Sequence, residues 1–171
     1  LRIGVLSSGT IEVRGHLEQS LVEGLRERGY VEGKNLVIER RYGGATWLER
    51  SSELAGQLAA MNLDAVVTTC TPSTAVAKQA LPSTSIVMLA TSDPVGYGLI
   101  ASLARPGANI TGLSSQGEEL LPKMIEFFSS ILPPSTTVAL LGNSRNPVHA
   151  RMWKTLSESA QLRNLNIKLT R

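Results

Sequence analysis

The sequence predicts an α/β protein: an open parallel sheet with helices on both faces. Three observations carry that expectation. Short β-branched runs alternate with longer helix-patterned segments along almost the whole chain. The strand candidates are apolar on both faces, as strands covered on both sides are. Helix starts and stops are marked between them, so parallel strands joined by right-handed crossovers are expected.

Arg2–Leu6 opens the chain as the first strand. Val13–Arg28 follows as a helix, with Leu17, Leu21 and Leu25 along one face and Gly29 placed to end it. Leu36–Arg40 is the second strand. Trp47–Met61 is the second helix, with Thr46 and Glu49 spaced as a capping box and Leu54, Leu58 and Met61 as its apolar stripe. Ala65–Thr69 and Ile86–Ala90 are the third and fourth strands, with Ser73–Ala80 as the helix between them. Tyr97–Ala104 is expected to be helical and leads to a fifth strand at Asn109–Leu113. A second run then begins with a helix over Gln116–Ile131, striped by Leu120, Met124, Phe127 and Ile131. Thr137–Leu141, a helix over Val148–Asn164 (Met152, Leu156 and Ala160 on one face) and Asn166–Thr170 complete it. These stripes are read as core.

The strand count divides the chain. Five strands by Leu113 suffice for one open sheet, whereas two strands with two helices rarely stand alone. Residues 1–113 are therefore expected to form a first lobe and residues 114–171 the start of a second that stops early. A length of 171 residues suits one domain, yet the count points to a piece of a two-lobed protein hinged near Gly112–Gly117.

Composition removes several function classes. With 42% hydrophobic and 18% charged residues the chain is not disordered, and 4% aromatics argue against a stacking surface for single-stranded nucleic acid. A formal charge of +3 is a weak field. The basic residues at Arg26, Arg28, Lys34, Arg40 and Arg41 are interleaved with Glu23, Glu27, Glu32 and Glu39, a mixed solvated face. No nucleic-acid partner is expected. No apolar run approaches the ~18–20 residues of a membrane span. Cys70 is the single cysteine, and His16 and His149 lie far apart, so neither a metal site nor a cofactor is expected.

In open parallel sheets ligands bind beyond the carboxyl ends of the strands. Those ends read Ser7-Ser8-Gly9-Thr10, Cys70-Thr71-Pro72-Ser73-Thr74, Thr91-Ser92-Asp93-Pro94 and Gly142-Asn143-Ser144. Small hydroxyl and amide groups hydrogen-bond a polar solute, and they are equally ordinary turn chemistry. Thr71-Pro72 and Asn146-Pro147 each place a capping residue before a proline, marking helix starts able to face a carboxylate or simply well capped. Cys70 fits a nucleophile or a bystander thiol. A Cys-x5-Arg phosphatase loop is absent, since Val76 stands where its arginine would be. Gly96-Tyr97-Gly98-Leu99-Ile100-Ala101 has dinucleotide-fingerprint spacing but follows the fourth strand, after Asp93-Pro94.

The run Ser92-Asp93-Pro94-Val95-Gly96-Tyr97-Gly98-Leu99-Ile100-Ala101-Ser102-Leu103-Ala104-Arg105-Pro106-Gly107-Ala108-Asn109-Ile110-Thr111-Gly112 resembles the SDPVGxGLVxSLxxPGxNxTG signature of ABC-transporter substrate-binding proteins of the tryptophan/tyrosine-uptake type. Arg2–Leu6, Gly29–Asn35 and Asp64–Thr69 are similar to that family too. The resemblance implies a type I periplasmic-binding fold whose two lobes close on a small polar solute, an amino acid or related carboxylate. It implies a binding protein rather than an enzyme, delivering to a membrane permease from the periplasm or another extracytoplasmic space, with lipid anchoring as one form. The ligand residues it implies are Ser7, Ser8, Thr71, Ser73, Ser92 and Asp93 in the first lobe and Asn143 and Ser144 in the second. Thr74 joins them as part of the third strand's end. Two other classes stand beside it. One is a cysteine-dependent isomerase or racemase of a small acid, which lacks its second thiol here; the other is a ligand-sensing regulatory domain on the same fold. Exposed edges of the unfinished lobe are expected to invite pairing between copies.

Overall fold

The computed structural model describes residues 1–133, 136–143 and 146–170. The chain forms two compact units, Leu1–Ser115 and Gln116–Arg171.

In the first unit β1 (Arg2–Ser7), α1 (Ile11–Glu27), β2 (Val37–Tyr42), α2 (Trp47–Ala59), β3 (Ala65–Thr68), α3 (Thr71–Ala80), β4 (Ser85–Thr91) and β5 (Ile110–Ser114) follow in order. The five strands make one parallel sheet in the order β2-β1-β3-β4-β5. Alternation along each strand sends side chains to two cores. Ile3, Val5, Ile38 and Val67 pack with Leu21, Val22 and Leu25 of α1. Leu6, Val66, Ile86 and Met88 pack on the other face with Trp47, Leu54 and Leu58 of α2 and Ala77 of α3. The expected open parallel sheet with helices on both faces is what forms.

Helix ends follow local chemistry. At the end of α1 the Gly29 N–H reaches the Arg26 carbonyl (3.0 Å) and the Tyr30 N–H the Leu25 carbonyl (2.9 Å), closing a Schellman motif. The capping box expected at Thr46 does not form. A short 3-10 turn at Gly44–Thr46 precedes α2, and Thr46 Oγ1 donates back to the Gly43 carbonyl at 3.0 Å.

The helix expected over Tyr97–Ala104 is also absent. A helix needs each N–H to reach four residues back, but Leu99 and Ile100 both donate to the Pro94 carbonyl, at 2.8 and 3.2 Å. Gly98 turns the chain at φ +64, and the Ala101 N–H then reaches across to the Pro106 carbonyl at 2.9 Å. The apolar pattern there serves a loop that buries Leu99 and Ile100.

The second unit contains α4 (Leu121–Ile131), β6 (Thr137–Leu141), α5 (Pro147–Gln161) and β7 (Asn166–Thr170), with β6 and β7 parallel. Its core joins Leu121 and Ile125 of α4 to Leu156 and Ala160 of α5, with Phe128, Leu140, Met152 and Ile167 packed against them. The stripe expected in the core, Leu120, Met124, Phe127 and Ile131, is instead exposed, Phe127 to 61%. The helix is apolar around much of its circumference, so spacing alone does not select the buried face. The face that is buried is the one that meets Leu156 and Ala160 of α5, and the helix is entered from a left-handed Gln116 (φ 49) through a 3-10 turn over Gly117–Leu120.

Candidate functional site

Ligand crevices in open parallel sheets lie where successive connections leave the sheet to opposite sides. With the order β2-β1-β3-β4-β5, that point falls between β1 and β3. The carboxyl ends of these two strands carry the loops singled out by their hydroxyl content.

After β1, Ser7 is fully buried, and its Oγ accepts from the Gly9 N–H (3.2 Å) and from Thr69 Oγ1 (2.9 Å). The loop after β2 is tied in as well, because the Gly43 N–H reaches the Ser7 carbonyl at 2.9 Å. Ser8 faces the opposite way, with its Oγ 3.0 Å from Cys70 Sγ. This contact closes the β1 and β3 ends over the switch point.

Cys70, in extended conformation, is the N-cap of α3; Thr71 is the first helical residue and Pro72 the second. The capping role expected of Thr71 thus falls one residue earlier. The chain is still extended at Cys70, and the Cys70 carbonyl already accepts from the Thr74 N–H at 3.0 Å, the first bond of the helix. Ser73 Oγ accepts from the Cys70 N–H (3.2 Å) and donates to the Cys70 carbonyl (2.9 Å). Thr74 Oγ1 sits between two strands, 2.7 Å from Thr68 Oγ1 and 3.2 Å from Thr91 Oγ1, and all three residues are 0% exposed. Buried hydroxyls need such partners.

The β4 end joins through Thr71, whose Oγ1 accepts from the Ser92 N–H at 3.1 Å. Asp93 folds its Oδ1 over the Gly96 N–H at 2.8 Å. Ser8, Cys70, Ser92 and Asp93 are half-buried, whereas Ser7, Thr71, Ser73 and Thr74 are buried. The strand ends after β1, β3 and β4 form one hydrogen-bonded surface, and Asp93 is the charged residue within Ser7–Thr10, Thr69–Thr74 and Thr91–Val95.

In the second unit Asn146 caps α5, its side chain accepting from the Val148 N–H at 3.0 Å. Asn143 is exposed, and its N–H donates to His149 Nδ1 at 2.9 Å. Ser144 lies outside the described residues.

Reading the sequence missed Thr68 and Thr69, which lie at or just past the end of β3 and pair with Thr74 and Ser7, and it named Thr91 as a strand end without its partner Thr74. A threonine repeated at successive strand ends was the available signal. It also missed an ion-pair network between α1 and β2. Arg40 binds Glu32 with both terminal guanidinium nitrogens (2.6 and 2.8 Å) and Glu18 with its Nε, and Glu18 in turn accepts from the Tyr42 hydroxyl. The Arg40 hydrogen bonds hold Glu32 below its ordinary range. Burial first, and then the Glu18 carboxylate, push the Tyr42 phenol up to about 12. This network borders an open groove of about 350 Å³ along α1, lined by Ile11, Val22, Arg26 and Arg40 among others. Among the described residues no three His, Cys, Asp or Glu side chains gather to hold a metal, and no helix is long and apolar enough to cross a membrane.

Residues 10–171 match the family described as ABC transporter substrate binding protein. The chain belongs to that family. A tyrosine-binding protein of Clostridioides difficile is 25% identical over 127 residues, 74% of this chain and 36% of that protein. A conserved domain protein from Vibrio cholerae superposes with a TM-score of 0.84 at 26% identity, over 99% of this chain and 56% of that one. The ABC domain from Streptococcus pneumoniae, solved with L-Trp, gives a TM-score of 0.81 at 23% identity, again over 99% and 56%. The chain thus spans about half the length of the solved structures it matches. The resemblance seen at Ser92–Gly112 is confirmed at the level of the family and the fold.

Proposed function

We propose that this chain is part of the solute-binding component of an ABC importer and that the loops after β1, β3 and β4 bind a small zwitterionic amino acid. The observation carrying this reading is the joining of those three loops at the switch point, through the Ser8–Cys70 contact and the Thr71–Ser92 bond. In chemical terms the surface has two poles. The start of α3 offers helix-dipole attraction to a carboxylate. Asp93 offers an acceptor for an ammonium group. With no Lys or Arg within Ser7–Thr10, Thr69–Thr74 or Thr91–Val95, a zwitterion suits these strand ends better than a dianion. Ser8 and Ser92 would hydrogen-bond the solute, while the buried Ser7, Ser73 and Thr74 hold the loops in place. Asn143 and Ser144 belong to the same proposal as residues of the second unit.

The relatives bear on ligand class: one is named for tyrosine, another was solved with L-Trp. The family is one of substrate-binding proteins, which supports binding rather than turnover. Among the described residues Cys70 Sγ meets the hydroxyls of Ser8 and Ser73 and no imidazole or carboxylate, so no base is in place to activate it. An extracytoplasmic location, delivery to a membrane permease and pairing of copies through the strand edges of the second unit complete the reading.

The test is calorimetric titration of the twenty protein amino acids into the complete protein that carries this chain. Asp93→Ala should weaken the tightest binder by about 10-fold or more, the size of a charge-assisted hydrogen bond. Unchanged affinity would remove Asp93 and the loop surface from the site.

A further inference from the structure

The loop carrying Asp93 begins where the sheet pairing ends. The β4–β5 register shifts between Met88 and Thr91, and pairing resumes at Thr91 with Ser114, directly before Ser92. Two side-chain hydroxyls take over. The Ser92 N–H donates to Thr71 Oγ1 at 3.1 Å, and the Ser92 carbonyl accepts from Ser114 Oγ at 3.3 Å. The neighbouring Ser115 N–H reaches the Thr91 carbonyl at 3.0 Å, bringing the end of β5 alongside the loop. Ser92 is thus gripped on its N–H from α3 and on its C=O from β5, and Asp93 is the next residue.

We propose that Ser114 is a positioning residue for solute binding: its hydroxyl fixes the Ser92 carbonyl and thereby aims Asp93. This rests on the reading that Asp93 meets the solute. The sequence marks Ser114 only as part of the expected hinge stretch Gly112–Gly117 and not for this role. Acting on the loop from β5, it shapes the site without touching the ligand.

A double-mutant cycle on the complete protein tests this, with the tightest-binding of the twenty protein amino acids as the calorimetric probe. Ser114→Ala should weaken binding about 5-fold, the size of one neutral hydrogen bond, and Ser114→Thr, which keeps the hydroxyl, should stay within about 2-fold of the parent. In an Asp93→Ala background, Ser114→Ala should add less than about 2-fold, because the group it aims is gone. A purely structural role would give the same factor in both backgrounds, and that result, or no effect in the parent, would overturn the proposal while leaving the site intact. If no amino acid binds, or Asp93→Ala changes nothing, the site reading itself fails and this inference falls with it.

Discussion

Replacing Thr74 by valine keeps the shape of the side chain and removes the hydroxyl that bridges β3 to β4. That oxygen lies 2.7 Å from Thr68 Oγ1, 3.2 Å from Thr91 Oγ1 and 3.0 Å from the Cys70 carbonyl. The carbonyl is not orphaned, because the Thr74 N–H (3.0 Å) and Ser73 Oγ (2.9 Å) still reach it. The cost falls on Thr68 and Thr91, both 0% exposed and with no other hydroxyl partner among the described residues. Each stranded hydroxyl costs ~1–3 kcal/mol. The methyl gained returns ~1 kcal/mol. Thr74→Val should therefore destabilise the protein by about 1–5 kcal/mol, read as a lower urea midpoint by circular dichroism at unchanged m value. The companion variant is Thr68→Val, Thr74→Val and Thr91→Val together. Removing every partner at once leaves nothing unsatisfied and should cost less than the single change. A single variant within about 0.5 kcal/mol of the parent, the ordinary range of an inert surface change, would refute this account. So would a triple variant less stable than the single.

Other substitutions probe other links. Gly112→Ala places a Cβ 2.1 Å from the Met88 carbonyl oxygen at a backbone φ of +131, so β5 must part from β4; the loss should exceed ~3 kcal/mol, and a soluble, equally stable variant would contradict the strand pairing. Cys70→Ser supplies a better N-cap acceptor for α3 and keeps a hydrogen bond to Ser8, so the melting temperature should hold or rise by the equivalent of ~0.5–1 kcal/mol. For Tyr42 the folded-state pKa is raised from 10.0 to about 12, so its contribution to stability is complete below pH 10 and fades as pH rises through about 12. Ultraviolet titration should find this phenol near 12, and Glu18→Ala should bring it only part of the way down, because burial is the larger cause.

The open parallel sheet was legible because its strands are apolar on both faces and its crossovers carry helix patterns, signals that depend on local sequence alone. The strand-end loops were legible for the same reason: hydroxyls cluster at Ser7-Ser8, Thr71–Thr74 and Ser92 wherever a strand stops. What failed depended on tertiary competition. Tyr97–Ala104 has helical composition, yet Gly98 and the pull of Pro94 and Pro106 carbonyls turn it into a loop. In α4 two apolar stripes lie side by side, and the buried one is that which meets its partners on α5. Sequence periodicity holds no information about that rotation.

Within the strand-end loops, the small hydroxyl residues were legible and their division of labour was not. Thr74 and Ser7 look like Ser8 in sequence, but their bonds run inward to Thr68, Thr91 and Thr69. Only the register of β1 against β3, pairing Leu6 with Thr68, decides that Ser8 meets Cys70 instead. The tie from Ser114 comes from a strand 22 residues further along and needs the β4–β5 bulge to exist.

The most direct measurement is a map of backbone amide shifts in the 15N-labelled complete protein as L-tyrosine or L-tryptophan is added. The account predicts that the largest changes in the first unit fall at the carboxyl ends of β1, β3 and β4: Ser8–Thr10, Thr71, Ser73 and Ser92–Asp93. Changes confined to the groove beside α1, around Val22, Arg26 and Arg40, with the strand ends unmoved, would contradict it.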